Sequence, residues 1–260
     1  MVSAPAPRAR SSLAEPLDDA AGLADGVTRL ATGGDRGVFV VLEGGEGVGK
    51  STQWARLAET LRAVGHDVVA VREPGGTPAG DAIRALLLDP ASRLAAESEA
   101  LLFAASRAQL VRDVIEPALR RGAVVLVDRF LLSTYAYQGA GRGLSMPALQ
   151  AVNHFATGGL APDLTLLLAL PLADAQARMH ARGAADRMER EHLSFHERVR
   201  EAFDLALTPA WQASHPEVGP VVAVAADQSP DAVTVRCLEA LVTRWPERFT
   251  TAAAVAPSAR

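Results

Sequence analysis

The chain has 260 residues, with 26 Lys and Arg against 30 Asp and Glu for a net charge of −4. At 49% hydrophobic and 22% charged residues it has a globular composition with enough apolar material for one sizeable core, which excludes a wholly disordered, collagen-like or mucin-like chain. The mildly acidic balance provides no broad cationic surface for a polymeric phosphate backbone, so no nucleic-acid partner is expected.

Residues 1–36 are rich in Ala, Pro, Ser and Gly, and Pro5, Pro7 and Pro16 interrupt any long helix. They read as a mostly disordered extension in which only Ala14 to Leu30 has the makings of a weak helix. The stretch lacks the apolar run of a signal peptide, and Glu15, Asp18, Asp19, Asp25 and Asp35 do not suit an acid-poor transit peptide. A lone cysteine, Cys237, forms no intramolecular disulfide and no cysteine-based zinc cage, as suits a reducing compartment. The longest apolar stretch, Leu164 to Leu170, contains Thr165 and stops at Pro171, far short of the ~20 residues needed to cross a bilayer. These features predict a cytoplasmic protein with no membrane contact. The tail at 250–260 resembles the extension in composition, which leaves 37–249 as the expected folded domain.

Within that span short β-rich runs alternate with helical patterns. Val38–Glu43, Val68–Arg72, Val124–Asp128, Leu164–Leu170 and Val221–Ala225 read as strands. From Ser51 onward Trp54, Leu57, Ala58, Leu61 and Val64 recur at helical spacing, and Gly65 supplies a stop. Strand, helix, strand is the parallel unit, and near-continuous apolar strands are covered on both faces. The predicted fold is therefore α/β, a doubly wound parallel five-stranded sheet with helices on both sides.

The chemistry begins after the first strand. Gly44-Gly45-Glu46-Gly47-Val48-Gly49-Lys50-Ser51, followed by Thr52, matches G-x-x-x-x-G-K-[ST] between a predicted strand and a predicted helix. Its glycines let backbone N–H groups turn inward around a phosphate, the helix N-terminus adds partial positive charge, Lys50 reaches the outer phosphates and Ser51 would hold Mg²⁺. A nucleoside triphosphate, ATP or its like, is the expected ligand. This loop names a phosphate donor but not an acceptor, because motors, GTPases and kinases share it. At the end of the third strand Asp128 and Arg129 stand at the edge where such sheets bind ligands, the acid suited to Mg²⁺ and the guanidinium to a phosphate. After the second strand Arg72-Glu73-Pro74-Gly75-Gly76-Thr77 forms a tight turn that directs Arg72 to the same edge, a second phosphate clamp.

Taken with Leu102-Phe103-Ala104-Ala105-Ser106-Arg107-Ala108-Gln109-Leu110, Asp128-Arg129-Phe130 and Ser133-Thr134-Tyr135-Ala136-Tyr137-Gln138-Gly139, these motifs resemble bacterial thymidylate kinase. The resemblance spans 37–249. It implies a P-loop NTPase-type fold with a helical lid, ATP as donor, dTMP as acceptor, Mg²⁺ as cofactor and a homodimer. By the same resemblance Glu46 approaches the acceptor's 3′-hydroxyl and the metal region, and Arg72 and Arg129 hold its 5′-phosphate. Phe103 stacks on thymine and Arg107 bonds the base edge, a pair that shares one helix face at i and i+4. Ser133, Thr134, Tyr137 and Gln138 surround the nucleoside, with Tyr137 against the deoxyribose. The stretch 178–190 resembles the family's lid over ATP, and its Arg182 and Arg187 match the arginine given to the transition state. Arg190 reads better as part of a surface patch.

Two further features stand apart. His192 and His196 are four residues apart on a predicted helix, but with no third ligand they read as surface histidines and not as a metal site. After the last strand the order Ala225-Ala226-Asp227 departs from the family's usual Asp-Ala, which leaves the adenine contacts open.

Overall fold

The computed structural model describes residues 36–182 and 186–254. The extension at 1–35, with its predicted weak helix, lies outside the described residues. Arg36 already pairs with Asp163, and the Gly37 N–H donates to Leu119 O at 2.8 Å.

Five strands, β1 (Val38–Glu43), β2 (Val68–Arg72), β3 (Val124–Asp128), β4 (Leu164–Ala169) and β5 (Val221–Ala225), form one all-parallel sheet in the order β2-β3-β1-β4-β5. Every predicted strand is present, and only Leu170 falls outside, because Pro171 follows it and a helix begins at Leu172. The side chains of β1 show why a continuous apolar run makes a central strand. Val38, Val40 and Leu42 point into one core, while Phe39 and Val41 point into the other.

The first core takes Leu57 and Leu61 from α1 (Lys50–Ala63) and Cys237, Leu238 and Leu241 from α10 (Pro230–Arg244). Trp54 and Val64 lie partly buried on its margin. The second takes Leu110 from α3 (Ala96–Leu110), Leu131 from α5 (Leu131–Thr134), Leu149 from α6 (Met146–Thr157), and Phe195, Val199 and Phe203 from α8 (Leu193–Ala206). α2 (Pro78–Leu88) is capped by Thr77, whose hydroxyl accepts from Gly80 N–H at 3.0 Å. α3 runs on through a π-helical turn, Val111–Ile115, into α4 (Glu116–Arg120). A second π-helical stretch, Tyr135–Gly141, follows α5. α7 (Leu172–Arg182) leads toward the segment read as the lid, and α9 (Pro209–Ser214) follows α8.

The folded region reaches past the boundary expected at Phe249. α11 (Pro246–Ala254) continues beyond it, and Ala252, 0% exposed, joins Phe249 in the core. Alanine is the best helix former, and the two side chains stand at i and i+3, which puts them on one face.

Candidate active site

In sheets of this winding the crevice opens at the carboxyl ends of the strands, where connections diverge to either side of β1. The loop after β1, the ends of β2 and β3 and the helix α3 meet there around a cavity of about 780 Å³.

The glycine loop passes directly into α1. Gly49 caps that helix at φ 96°, a left-handed conformation that a side chain would strain. Gly47 is required by proximity as well, because a Cβ there would lie 2.2 Å from the Ala175 carbonyl oxygen of α7. Glu46 through Gln53 line the cavity, whereas Gly44 and Gly45 face a neighbouring cavity of about 740 Å³ toward α7 and α8. The Lys50 ammonium donates to Gly45 O at 2.6 Å. Burial, followed by repulsion from Arg129, pushes it down to about 8.

Asp128 and Arg129 do not form a strand-end pair with each other. Ser51 Oγ donates to Asp128 Oδ2 at 3.0 Å, and Asp128 Oδ1 is buried with no hydrogen-bond partner. Arg129 is the only non-glycine residue at positive φ among the described residues, at 71°. A conformation this unfavourable persists because its surroundings hold it. Its N–H donates to Leu42 O at 2.9 Å, and the next N–H, of Phe130, donates to Glu43 Oε1 at 2.8 Å. The guanidinium fans out to Gly44 O (3.0 Å), Ser133 Oγ (3.1 Å), Glu46 Oε1 (2.6 Å) and Tyr137 OH (3.1 Å). Burial opposes its charge, but Glu46, then Tyr137, Asp128 and Glu43, outweigh that and hold it firmly protonated. Tyr137 OH in turn donates to Glu46 Oε1 at 3.0 Å. One charged knot thus joins the glycine loop, β3 and the Tyr135–Gly141 turn.

Arg72 is exposed and borders the same cavity, as do Phe103, Arg107, Ser133, Thr134, Tyr137 and Gln138. Arg107 is 1% exposed. It donates to Glu73 Oε2 (2.8 Å), Asn153 Oδ1 (2.6 Å), Phe130 O (3.1 Å) and Thr134 Oγ1 (3.0 Å), so four bonds engage a group with five N–H donors. Glu73, which next to Arg72 reads as half of a solvated pair, is instead buried against Arg107. Burial pushes its carboxyl up to about 7, against the pull of that arginine.

The lid arginines separate. Arg187 Nε donates to Leu87 O at 2.7 Å, and its Nη2 pairs with Glu99 at 2.7 Å. Its neighbours Asp186, Met188 and Glu189 line the cavity and Arg187 does not. This departs from the transition-state role expected for Arg187, because a buried carboxylate on α3 competes for its charge. The Arg182 side chain lies outside the described residues. Arg178, one turn earlier on α7, does line the cavity and donates to Ala226 O at 3.2 Å. Arg84 of α2 lines it too, donating to Pro74 O at 2.9 Å; burial and then Arg72 lower its affinity for a proton. Neither carries a signal in the sequence: Arg178 is one of several arginines in 178–190 with nothing to mark which faces inward, and Arg84 is a lone arginine on a helix outside any motif.

Ala226, Gln228, Pro230 and Val233 border the glycine-loop side of the cavity, while Asp227 pairs with Arg236 at 3.1 Å. His192 is exposed and is the N-cap of α8. His196 Nε2, in contrast to a surface reading, is buried with no hydrogen-bond partner. Among the described residues no group of three or more His, Cys, Asp or Glu could hold a metal ion by itself.

A parallel sheet with a G-x-x-x-x-G-K-S loop at its crevice and an acid on the adjacent strand defines a nucleoside-triphosphate-binding protein of the P-loop class. The family model for thymidylate kinase matches residues 42–213. Among curated relatives, the thymidylate kinase of Deinococcus radiodurans is 55% identical over 172 residues, 66% of this chain and 84% of the relative. That of Pseudomonas fluorescens is 55% identical over 168 residues, 64% of this chain and 80% of the relative. That of Desulforudis audaxviator is 54% identical over 169 residues, 64% of this chain and 76% of the relative. The chain belongs to the thymidylate kinase family.

Proposed function

We propose that this enzyme transfers the γ-phosphoryl group of ATP to dTMP, giving ADP and dTDP. The observation that carries the reading is the continuity of one cleft, from the glycine loop past Arg72 and Arg129 to Phe103, Arg107 and Gln138. It can hold a triphosphate at one end and a planar base at the other, with a cationic passage between them. An oxygen of the acceptor's 5′-phosphate bonds to the γ-phosphorus, the bond to the β,γ-bridging oxygen breaks, and ADP leaves. That oxygen is already ionised at pH 7, so no general base is needed and catalysis consists of positioning and of cancelling charge between two anions.

Lys50 and the amides of Gly47, Val48 and Gly49 bind the donor phosphates, with Ser51 and Thr52 at the helix start. Ala226, Gln228, Pro230 and Val233 form the adenine side. Arg72 and Arg129 hold the acceptor phosphate, with Glu46 and Tyr137 fixing the Arg129 fork beside the sugar. Phe103 stacks on the base, Arg107 offers it the remaining N–H, and Ser133, Thr134 and Gln138 close around the nucleoside. Arg178 and Arg84 supply cationic charge along the phosphate path. The unpartnered Asp128 Oδ1 beside Ser51 Oγ suits a hard cation with oxygen ligands, and Ser51 and Asp128 would hold Mg²⁺. When bound, Mg²⁺ neutralises charge on the nucleotide phosphates.

A homodimer fits the surface of the α3–α6 layer. Phe155 of α6 is 89% exposed, Ala148 and Ala151 share its face, and Leu101 and Ala105 of α3 are exposed beside it. No helix among the described residues is long and apolar enough to cross a membrane, and the cytoplasm is the proposed location. The test is a panel of nucleoside monophosphates with ADP release as readout. ADP formation that depends on dTMP far more than on dCMP, dGMP or dAMP is expected; ATP binding without monophosphate-dependent ADP release would overturn the reading.

A further inference from the structure

Gln138, which lines the far end of the cleft, donates its Nε2 to Glu99 Oε1 at 2.9 Å. Glu99 lies on α3 one turn before Phe103 and is 1% exposed. Its Oε1 also accepts from Arg142 Nε at 3.2 Å, and its Oε2 accepts from Arg142 Nη2 at 3.0 Å and pairs with Arg187 Nη2 at 2.7 Å. Burial raises the Glu99 carboxyl, but hydrogen bonds from Arg142, Gln138 and Arg187 outweigh it and keep it below the ordinary carboxylate range. The group is therefore ionised at neutral pH, and an ionised carboxylate only accepts.

An amide side chain is nearly symmetric in shape but opposite in chemistry at its two ends. Facing an acceptor-only partner, Gln138 must give Glu99 its NH₂, which leaves the carbonyl oxygen for the cavity. We infer that Glu99 is a positioning residue for base specificity: by fixing the orientation of the Gln138 amide it makes the site accept a pyrimidine whose N3 carries a proton and reject one whose N3 is a lone pair. The inference rests on the proposed use of this cleft for dTMP. Thymine offers an N3–H donor and an O4 acceptor, matching the Gln138 oxygen and the remaining Arg107 N–H. A 5-methylcytosine offers a lone pair and an amino group at the same places, so both contacts turn repulsive or unpaired.

The substitution Glu99→Gln is informative because its own amide has a preferred orientation. The Oε2 position faces two charged guanidinium nitrogens and retains the oxygen, so the new NH₂ takes the Oε1 position and opposes the Gln138 NH₂. Gln138 then turns over and presents a donor to the cavity. The measurement is the ratio of kcat/KM for dTMP to that for 5-methyl-dCMP, two acceptors that share the methyl group and sugar. Wild type should favour dTMP, and Glu99→Gln should shrink the ratio by about tenfold or more, the scale of one hydrogen bond exchanged for an unpaired group. Glu99→Asp keeps an acceptor-only carboxylate and should keep the ratio even if both rates fall, while Gln138→Met removes the amide and should shrink it. A ratio unchanged in a folded Glu99→Gln, with both substrates weakened alike, would overturn the inference. If that variant does not fold, an unchanged ratio in Gln138→Met would do the same. Absence of dTMP phosphorylation by wild type would overturn the proposed function itself, and is read before any variant.

Discussion

At the proposed phosphate end of the cleft the glycine loop and Lys50 come from one short stretch, Gly47 to Ser51, whose form is set by glycine backbone and a helix start. At the base end they come from segments far apart in the chain, with Arg107 on α3 held by Glu73 after β2 and by Asn153 on α6. The first construction needs only local conformation, and its cations face a site meant for anions. The second buries carboxylates against guanidiniums, so its shape depends on charge balance in a dry interior. Loss at the phosphate end should therefore appear as lost turnover, and loss at the base end as lost selectivity or stability.

The largest effect expected is at Lys50. Lys50→Ala should lower kcat by about a thousandfold with the melting temperature little changed, since it removes a cation from charge developing in the transition state. Because the Lys50 ammonium sits at about 8, kcat/KM for ATP should also fall as the pH rises through that value. Near-normal kcat in the variant would break the assignment of the glycine loop.

A smaller effect should separate Arg178 from Arg187. Arg178→Ala should lower kcat by roughly ten- to a hundredfold at unchanged stability, since Arg178 lines the cavity. Arg187→Ala removes one of the partners of the buried Glu99, which keeps its bonds from Arg142, and should cost about 1–3 kcal/mol of stability before it affects the chemistry. Thermal melts and single-turnover rates on both variants test this. A pure kcat loss in Arg187→Ala exceeding that in Arg178→Ala would return Arg187 to the transition state.

The smallest effect concerns Glu73, pushed up to about 7 mainly by burial. Between its ordinary value near 4.5 and about 7 the folded state binds more protons than the unfolded state, so this group's contribution to stability falls as pH rises across that window. Glu73→Gln should flatten that part of the stability–pH curve, measured by chemical denaturation at several pH values. An unchanged slope would show that Arg107 keeps Glu73 ionised throughout.

How legible each end was follows from the same difference. The five strands, the glycine loop and Asp128 with Arg129 lie in consecutive residues whose spacing carries their meaning, and the sheet forms where that spacing predicts. Glu43 was readable only as the end of a strand. Its role, accepting from Phe130 and Ser133 N–H and from Ser133 Oγ at 2.6 Å, depends on β3 being paired with β1. Glu73, Glu99 and Arg142 carry no local signal either: Glu73 beside Arg72 reads as a solvated pair, and Glu99 and Arg142 have no oppositely charged neighbour in sequence. Each finds its partner across the fold.

The sequence by itself determined the doubly wound sheet, the glycine loop and the family, since these rest on apolar periodicity and on backbone conformations that only glycine adopts freely. The tertiary structure alone decided which charges are buried and with whom: Arg129 with Glu46, Arg107 with Glu73, Arg187 with Glu99. It also brought Arg178 of α7 to the cleft and set which way the Gln138 amide turns. A buried charge must be paired, and its partner is set by proximity in space, which the order of residues along the chain does not record.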